Sequence, residues 1–454
     1  MTRELVMEAR LIGCTLPQFY LSKMATGGDI KYFQARFSCA DEKYAVSKAP
    51  FSLPGTVGSP ELNSLINGML KQGEDGINFD FLINGTLLRS TLIELVEKHG
   101  VSTESVIEIE YVLKSEAPNL KCSILHDDWV SCIDMTFKRI LSGSYDYLAR
   151  IWNMKGELEK ELKGHTAAVK GVCWGRTDGE NSTILTSSQD QTIRIWEWSE
   201  GGDSCECIHV CKGHAGSVDC IGFSPERQKF CSGSWDKMIK IWSAVPDKEA
   251  SDEIDPERDE DRKRIKAEPS RRKATTRTPL QTMSGHTEAV SSIQWVDATD
   301  IISSGWDHCI RVWDVQTGIN KNSLPGKKVI TSISHSNLSG LIASGSTDNY
   351  VRLWDPKSED GMIVKSTLSS HQGWVSSVCW SPTSQYELLS GAYDSKVKVW
   401  DIRSTQSCLH TLECHQDKVM CVAWKEPEVL LSGGADNQLA VHMYNKGGTT
   451  SKEE

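Results

Sequence analysis

An aspartate recurs seven times through this 454-residue chain, at Asp146, Asp190, Asp236, Asp307, Asp348, Asp394 and Asp436. The intervals are 44, 46, 71, 41, 46 and 42 residues. A period of this length marks a repeat architecture, whose units are too small to bury their own apolar faces and must stack on their neighbours. Length alone would suggest about three independent domains, and the repeat replaces that reading.

Each aspartate has fixed companions. Four residues before it stands a hydroxyl: Ser142, Thr186, Ser232, Ser303, Ser344, Ser390 and Ser432. Six residues after it stands Trp152, Trp196, Trp242, Trp313, Trp354 or Trp400, with His442 in the seventh unit. Upstream lie His126, His165, His214, His286, His371 and His415, while the fifth unit has Gly326-Lys327 and no histidine. The chain alternates on both sides of the aspartate, as in Val290–Trp295 and Ile310–Trp313, so the units are short half-buried strands joined by turns. An aspartate at such a turn accepts hydrogen bonds from turn amides and from the histidine. The deviant fifth and seventh units should loosen their networks without deleting a unit. A strand within 113–125, before Trp129, should complete the last unit and close the ring.

His/Asp/Ser sets repeated at one period are structural, since a hydrolase needs one set in one pocket. No catalytic residue and no cofactor is expected. These motifs, with Trp313-Asp314, Trp354-Asp355 and Trp400-Asp401, resemble the WD-repeat family. The resemblance implies a seven-bladed β-propeller over 113–445 in a mainly β chain, with a structural repeat network of these aspartates and His165, His214, His286, His371 and His415.

The 71-residue interval is longer than the others by about 27 residues. The surplus, 246–279, has no aromatic residue and runs acidic, then basic, which predicts a disordered loop. Its basic clusters, Arg262-Lys263-Arg264 with Lys266 and Arg271-Arg272-Lys273, read as a nuclear import signal or an RNA-contacting patch.

Residues 31–112 lack the repeat. Lys31–Phe37 alternates as a strand, Asp41-Glu42-Lys43 reads as a turn and Tyr44–Val46 as the return strand. Pro60 opens a helix with Leu62, Leu65, Ile66, Met69 and Leu70 on one face. Phe79–Ile83, the turn Asn84-Gly85 and Thr86–Leu88 read as a hairpin, Ser90–Lys98 as a helix and Val106–Val112 as a last strand. The order ββαββαβ predicts a small ubiquitin-like α+β domain of the β-grasp type. Residues 1–30 and 446–454 read as tails, and Met1–Lys23 as an extension before a natural start at Met24.

Composition narrows the function. Acidic residues number 61 against 50 basic, a net charge of −11, which excludes a chain coated in positive charge for bulk nucleic-acid binding. No run of eighteen apolar residues appears, so no spanning helix and no membrane role is expected. The first residues do not form a secretory core, so the 15 cysteines should be reduced thiols of a cytosolic or nuclear protein. Cys205, Cys207 and Cys211 with His209 and His214 lack the usual zinc-ligand spacing.

The segments Phe79–Arg89, Glu108–Tyr111 and His126–Val130 resemble a Notchless-like (NLE) domain running into a propeller. The chain from about residue 30 to 445 is similar to the WD-repeat subunits of the PeBoW complex, which also holds Pescadillo and the block-of-proliferation protein. That resemblance implies a non-enzymatic nuclear factor, nucleolar and nucleoplasmic, for large-subunit ribosome assembly and maturation of its RNA. It implies docking of the block-of-proliferation protein on the propeller and contact with the pre-ribosomal particle. It also implies that Glu104 completes, in trans, the coordination of a metal held by the AAA+ ATPase midasin, for release. A competing class is a substrate receptor of a cullin-RING ubiquitin ligase. Its short motif overlaps Asp307, Arg311 and Trp313-Asp314, and Asp348, Arg352 and Trp354-Asp355.

Overall fold

A computed structural model describes residues 31–70, 76–100, 106–178, 181–199, 205–245, 274–357 and 364–445. The chain divides into two compact units, one running through Glu116 and the other built almost entirely from Ala117–Tyr444.

The first unit is a five-stranded sheet with two helices. Its strands are β1 (Tyr32–Ser38), β2 (Phe51–Pro54), β3 (Phe79–Ile83), β4 (Thr86–Leu87) and β5 (Ile107–Leu113), in the order β2-β1-β5-β3-β4. β1 and β5 pair in parallel at the centre and the other pairs are antiparallel, which is the β-grasp arrangement. Helix α1 (Ser59–Leu70) buries Leu62 and Ile66 against the sheet. Two of its asparagines act as substitute backbone. Asn63 accepts from the Phe79 N–H at 2.6 Å and donates to its carbonyl at 3.0 Å, and Asn67 does the same for Ile77 at 3.0 and 2.8 Å. These bonds satisfy backbone groups that the entry into β3 would otherwise leave unpaired. Helix α2 (Leu92–His99) ends at Gly100, whose φ of +59° lets its N–H cap the Val96 carbonyl.

One strand was misplaced by the alternation rule. Tyr44–Val46 is not the return strand. Glu42–Tyr44 is a 3₁₀ turn, and the partner of β1 is Phe51–Pro54. Tyr44 is apolar for a packing reason, because its ring meets Phe79 edge-on in the core. The Tyr111 hydroxyl donates to its carbonyl at 2.5 Å and accepts from the Val46 N–H at 3.2 Å.

The second unit is a ring of seven sheets. The innermost strands, Val130–Met135, Val169–Asp178, Val218–Phe223, Val290–Trp295, Ile330–His335, Val375–Trp380 and Val419–Glu426, each neighbour the next, and the last neighbours the first. We number the blades 1 to 7 in that order. Blade 7 takes its outermost strand, Asn119–Leu125, from the start of the unit, with Ile124 opposite Leu439 and Cys122 opposite Val441. This is the closing strand expected within 113–125. At the same seam Asp134 on the inner strand of blade 1 pairs with Lys425 of blade 7 and accepts from the Trp174 N–H of blade 2 at 2.8 Å.

The insertion is shorter than 246–279. Residues 274–279 are described, and Thr275–Arg277 forms a strand parallel to Cys205–Lys212, giving blade 2 a fifth strand. A charged, aromatic-free stretch carries no burial signal, but the free edge of blade 2 supplies unpaired backbone groups, and Arg277 ties the segment to the Ser243 and Val245 carbonyls at 2.8 and 2.6 Å.

Candidate functional site: buried tetrads and an aromatic rim

The repeated side chains meet inside each blade. In blade 4, His286 Nδ1 lies 2.8 Å from Asp307, His286 Nε2 lies 2.7 Å from Ser303 Oγ, and Trp313 Nε1 donates to the same Oγ at 2.7 Å. The direction of this relay follows from the groups themselves. An ionised carboxylate only accepts, so Nδ1 carries the proton and Nε2 must accept from the serine hydroxyl. Blades 2, 3 and 6 repeat the chain through His165–Asp190, His214–Asp236 and His371–Asp394. Their histidines reach Thr186, Ser232 and Ser390 at 2.7 Å, and Trp196, Trp242 and Trp400 donate to those same oxygens.

The order Ser–His–Asp is that of a hydrolase relay, yet Ser303, Ser232 and Ser390 are each 0% exposed. No substrate carbon can approach an oxygen enclosed by a tryptophan and a histidine. The relay therefore holds four strands in register and fixes the turn. Each aspartate also accepts from the amide two residues on, as Asp190 does from Thr192 at 2.9 Å and Asp394 from Lys396 at 3.1 Å. That brace holds the intervening residue in the left-handed region, at Tyr147, Gln191, Lys237, His308, Asn349, Ser395 and Asn437, with φ between 61° and 72°. Holding a non-glycine residue there costs of order 1 kcal/mol, offset by the side-chain bonds.

Three blades depart from the pattern. In blade 5 the missing histidine does not loosen the turn, because Arg352 takes its place. Its guanidinium forms a two-pronged ion pair with Asp348 and donates to Ser346 at 2.8 Å, while Trp354 still donates to Ser344. A planar guanidinium brings a full positive charge and two donors to the carboxylate, where a neutral imidazole would bring one donor. In blade 1, Asp146 is held by Arg150 at 2.5 Å and not by His126, which retains its Ser142 bond at 2.8 Å. In blade 7 the relay from His415 to Asp436 and Ser432 is intact, and His442 is buried where the tryptophan would stand.

Burial sets the titration of these groups. His126 is pushed down to about 4, first by desolvation and then by the Arg150 charge, and His442 to about 4 by desolvation and the neighbouring His415. Burial opposes ionisation of Asp236 and Asp394, but the histidine and amide bonds outweigh it and hold both at about 2. All four values are depressed in the folded state. As pH falls below the unfolded histidine value of about 6.5, the unfolded chain gains protons that folded His126 and His442 refuse, so stability is lost between about 6.5 and 4. The aspartates add a second loss between about 3.8 and 2. Thermal melts should show the melting temperature declining through the first window, as up to about 3 kcal/mol of stability is lost per histidine, and declining further in the second. A flat melting temperature from pH 6.5 to 4.5 would contradict this.

The sequence reading missed a second feature, on one face of the ring. In every blade the N–H of the residue before the aspartate donates to the carbonyl just before the inner strand. Examples are Tyr145 to Trp129 at 3.0 Å, Trp235 to Ser217 at 2.9 Å, Trp306 to Ala289 at 2.8 Å and Tyr393 to Trp374 at 2.8 Å. These positions are equivalent around the ring, so their side chains share a face. On it Trp129, Trp235, Trp306 and Trp374 are 39%, 51%, 42% and 47% exposed. They form clusters: Trp129 with Tyr145 at 5.4 Å, Trp235 with Trp306 at 5.8 Å and Trp374 stacked on Tyr393 at 5.7 Å. Lys170 donates to the Tyr145 hydroxyl at 2.8 Å, Trp235 donates to Asp219 at 2.7 Å and Lys418 lies over Tyr393. Trp374, Tyr393 and Lys418 also line a cleft of about 610 Å³. The excess of tryptophan was the available signal. Six of the 15 tryptophans belong to tetrads, and these four belong to the rim.

Other sequence candidates fall elsewhere. Glu104 and the basic clusters Arg262, Lys263, Arg264, Lys266, Arg271, Arg272 and Lys273 lie outside the described residues. Cys205, Cys207, His209 and Cys211 share the fourth strand of blade 2, and His209 bonds to Thr275 at 2.5 Å. Among the described residues no cluster of three or more His, Cys, Asp or Glu side chains could hold a metal. The Asp307 side chain is only 2% exposed and Asp348 is paired with Arg352, so these two carboxylates of the ligase-type motif are engaged within their own blades.

Comparison with known proteins agrees with this architecture. Residues 33–96 match the NLE (NUC135) domain family. Seven segments, 120–153, 156–197, 205–243, 277–314, 318–355, 363–401 and 406–442, match the WD domain, G-beta repeat. A ribosome biogenesis protein WDR12 homolog of Nematostella vectensis is 49% identical over 416 residues, covering 91% of this chain and all of the relative. Proteins of the same description from Ixodes scapularis and Anopheles gambiae are each 40% identical over 92% of this chain, covering 100% and 95% of their own lengths. An NLE domain, seven WD-repeat blades and full-length identity of this order place the chain in the family of WDR12-type ribosome biogenesis proteins.

Proposed function

We propose that this chain is a non-enzymatic assembly factor for the large ribosomal subunit, acting in the nucleolus and nucleoplasm on maturation of its RNA. Its propeller docks the block-of-proliferation protein alongside Pescadillo, on the pre-ribosomal particle. Its NLE domain offers Glu104 to the metal of midasin for release. The observation that carries this reading is the 49% identity to a ribosome biogenesis protein across that relative's whole length.

The rim supports the docking step. Tryptophan and tyrosine dominate binding energy at protein interfaces because they bury large rigid surfaces at low entropic cost. Rim acids such as Asp219 would repel a phosphate backbone, so a protein is favoured there over RNA. For Glu104 the support is chemical. It falls between α2 and β5, and a hard divalent cation takes a carboxylate oxygen.

Affinity purification of the full chain, with mass spectrometry, tests both steps. Wild type should recover Pescadillo, the block-of-proliferation protein and midasin. Glu104→Ala should lose midasin alone. Paired Trp235→Ala and Trp374→Ala should lose the block-of-proliferation protein, by 2 kcal/mol or more, about 30-fold in affinity. Persistent midasin with Glu104→Ala would remove Glu104 from the metal site, and recovery dominated by cullins and ligase adaptors would overturn the assembly reading.

A further inference from the structure

Blade 2 holds a cationic side chain that forms no ion pair among the described residues. Arg194 stands four residues after the tetrad aspartate, the position of Arg150, Arg311 and Arg352 in blades 1, 4 and 5. Each of those three pairs with its own aspartate, Arg150 to Asp146 at 2.5 Å, Arg311 to Asp307 at 3.5 Å and Arg352 to Asp348. Asp190 is already occupied. One oxygen accepts from His165 at 2.8 Å and the Thr166 N–H at 3.1 Å, the other from the Thr192 N–H and hydroxyl at 2.9 and 2.6 Å. Among the described residues Arg194 has one weak contact, to the Cys207 sulfur at 3.8 Å, and its buried Nε has no partner. Its guanidinium lies over Gly164, where a Cβ would stand 2.8 Å from Nη1.

The register builds a cleft around it. Arg194 pairs across the sheet with Val210 and Val210 with Thr276, while Thr192 pairs with Lys212. Alternation puts these side chains on one face. They line a cleft of about 310 Å³ with Thr166, Asp190 and Ala274. The fifth strand, present in no other blade among the described residues, supplies its far wall. A guanidinium, an exposed ammonium and the hydroxyls of Thr166 and Thr276 thus meet around one ionised carboxylate whose oxygens are already satisfied.

We propose that this cleft binds a single phosphoryl group, carried as a phosphomonoester on a peptide. A planar guanidinium beside an ammonium and hydroxyl donors suits a group with three acceptor oxygens and nearly two charges. The site is one cleft on one blade, whereas a nucleic-acid backbone needs a track of cations at the phosphate spacing. This site is separate from the aromatic rim and does not depend on the assembly reading.

The full chain should be titrated with inorganic phosphate by ³¹P NMR, and with a labelled peptide bearing one phosphothreonine by fluorescence anisotropy. Phosphate should bind with a dissociation constant of about 1 mM and the phosphopeptide more tightly, the unphosphorylated peptide not at all. Arg194→Gln and Lys212→Gln should each weaken both by about tenfold or more. Lys212 is exposed, so its variant keeps the fold, and unchanged melting of each variant confirms that for both. Binding that is absent at about 10 mM phosphate, or identical in both variants, overturns the proposal. Single-stranded RNA that displaces the phosphopeptide through Arg194 and Lys212 overturns the peptide assignment.

Discussion

A propeller beginning at Ala117 will fold cooperatively, and one beginning at His126 will not. The two fragments differ only by the segment that holds Asn119–Leu125. Without that strand Gln438–Met443 becomes a free edge, and the unpaired N–H and C=O groups facing Asn119–Leu125 lose their partners. Ile124, 4% exposed, leaves a gap against Leu439 and Val441 and the packing of blade 7 on blade 1. Its lost burial alone is worth about 2 kcal/mol, and the cavity adds to it. The strand closes the ring where the inner strands of blades 7 and 1 pack together, so the loss is not confined to one blade. The shorter fragment should melt at least about 10 °C lower than the longer or aggregate on expression. Equal melting temperatures and equal denaturant midpoints would show that the ring closes without the strand.

Trp313→Ala should destabilise the full chain by about 3–5 kcal/mol, and Trp313→Phe by only about 1–2 kcal/mol. The ring is 1% exposed, packed between Ile301 and Val315 in a core that joins blades 3 and 4. Alanine removes that volume as well as the N–H bond to Ser303. Phenylalanine keeps most of the volume and removes only the bond. The serine hydroxyl still donates to His286, so no buried donor is orphaned. Urea unfolding of the three proteins separates the two contributions. If phenylalanine costs as much as alanine, the hydrogen bond governs the blade and packing does not.

Blade 5 shows how such a network tolerates change. The reading from residue types treated the absent histidine as a loss, because the motif was written in terms of histidine. The fold has a different requirement, a donor that reaches Asp348 from inside the blade. Arg352 sits two strand positions beyond the turn and points to the same carboxylate. Nothing in a linear motif distinguishes that arginine from Arg194, whose side chain has no carboxylate left to meet. Only the occupied lone pairs of Asp190 separate the two cases.

The sequence by itself determined the number of blades, the tetrads of blades 2, 3, 4 and 6, the closing strand and the β-grasp character of the first unit. Those features repeat or alternate, and periodicity is a local property of the chain. The tertiary structure decided what lies between distant residues. It placed Phe51–Pro54, and not Tyr44–Val46, beside β1, since an apolar residue can face a core without belonging to a strand. It turned the end of the charged insertion into a fifth strand, since an open sheet edge recruits backbone whatever the side chains are. It also gathered four exposed tryptophans from four separate loops onto one face. Trp235 and Trp306 each precede a repeat aspartate and Trp129 and Trp374 each precede an inner strand, but that these loops meet on one face is a property of the closed ring and of no single repeat.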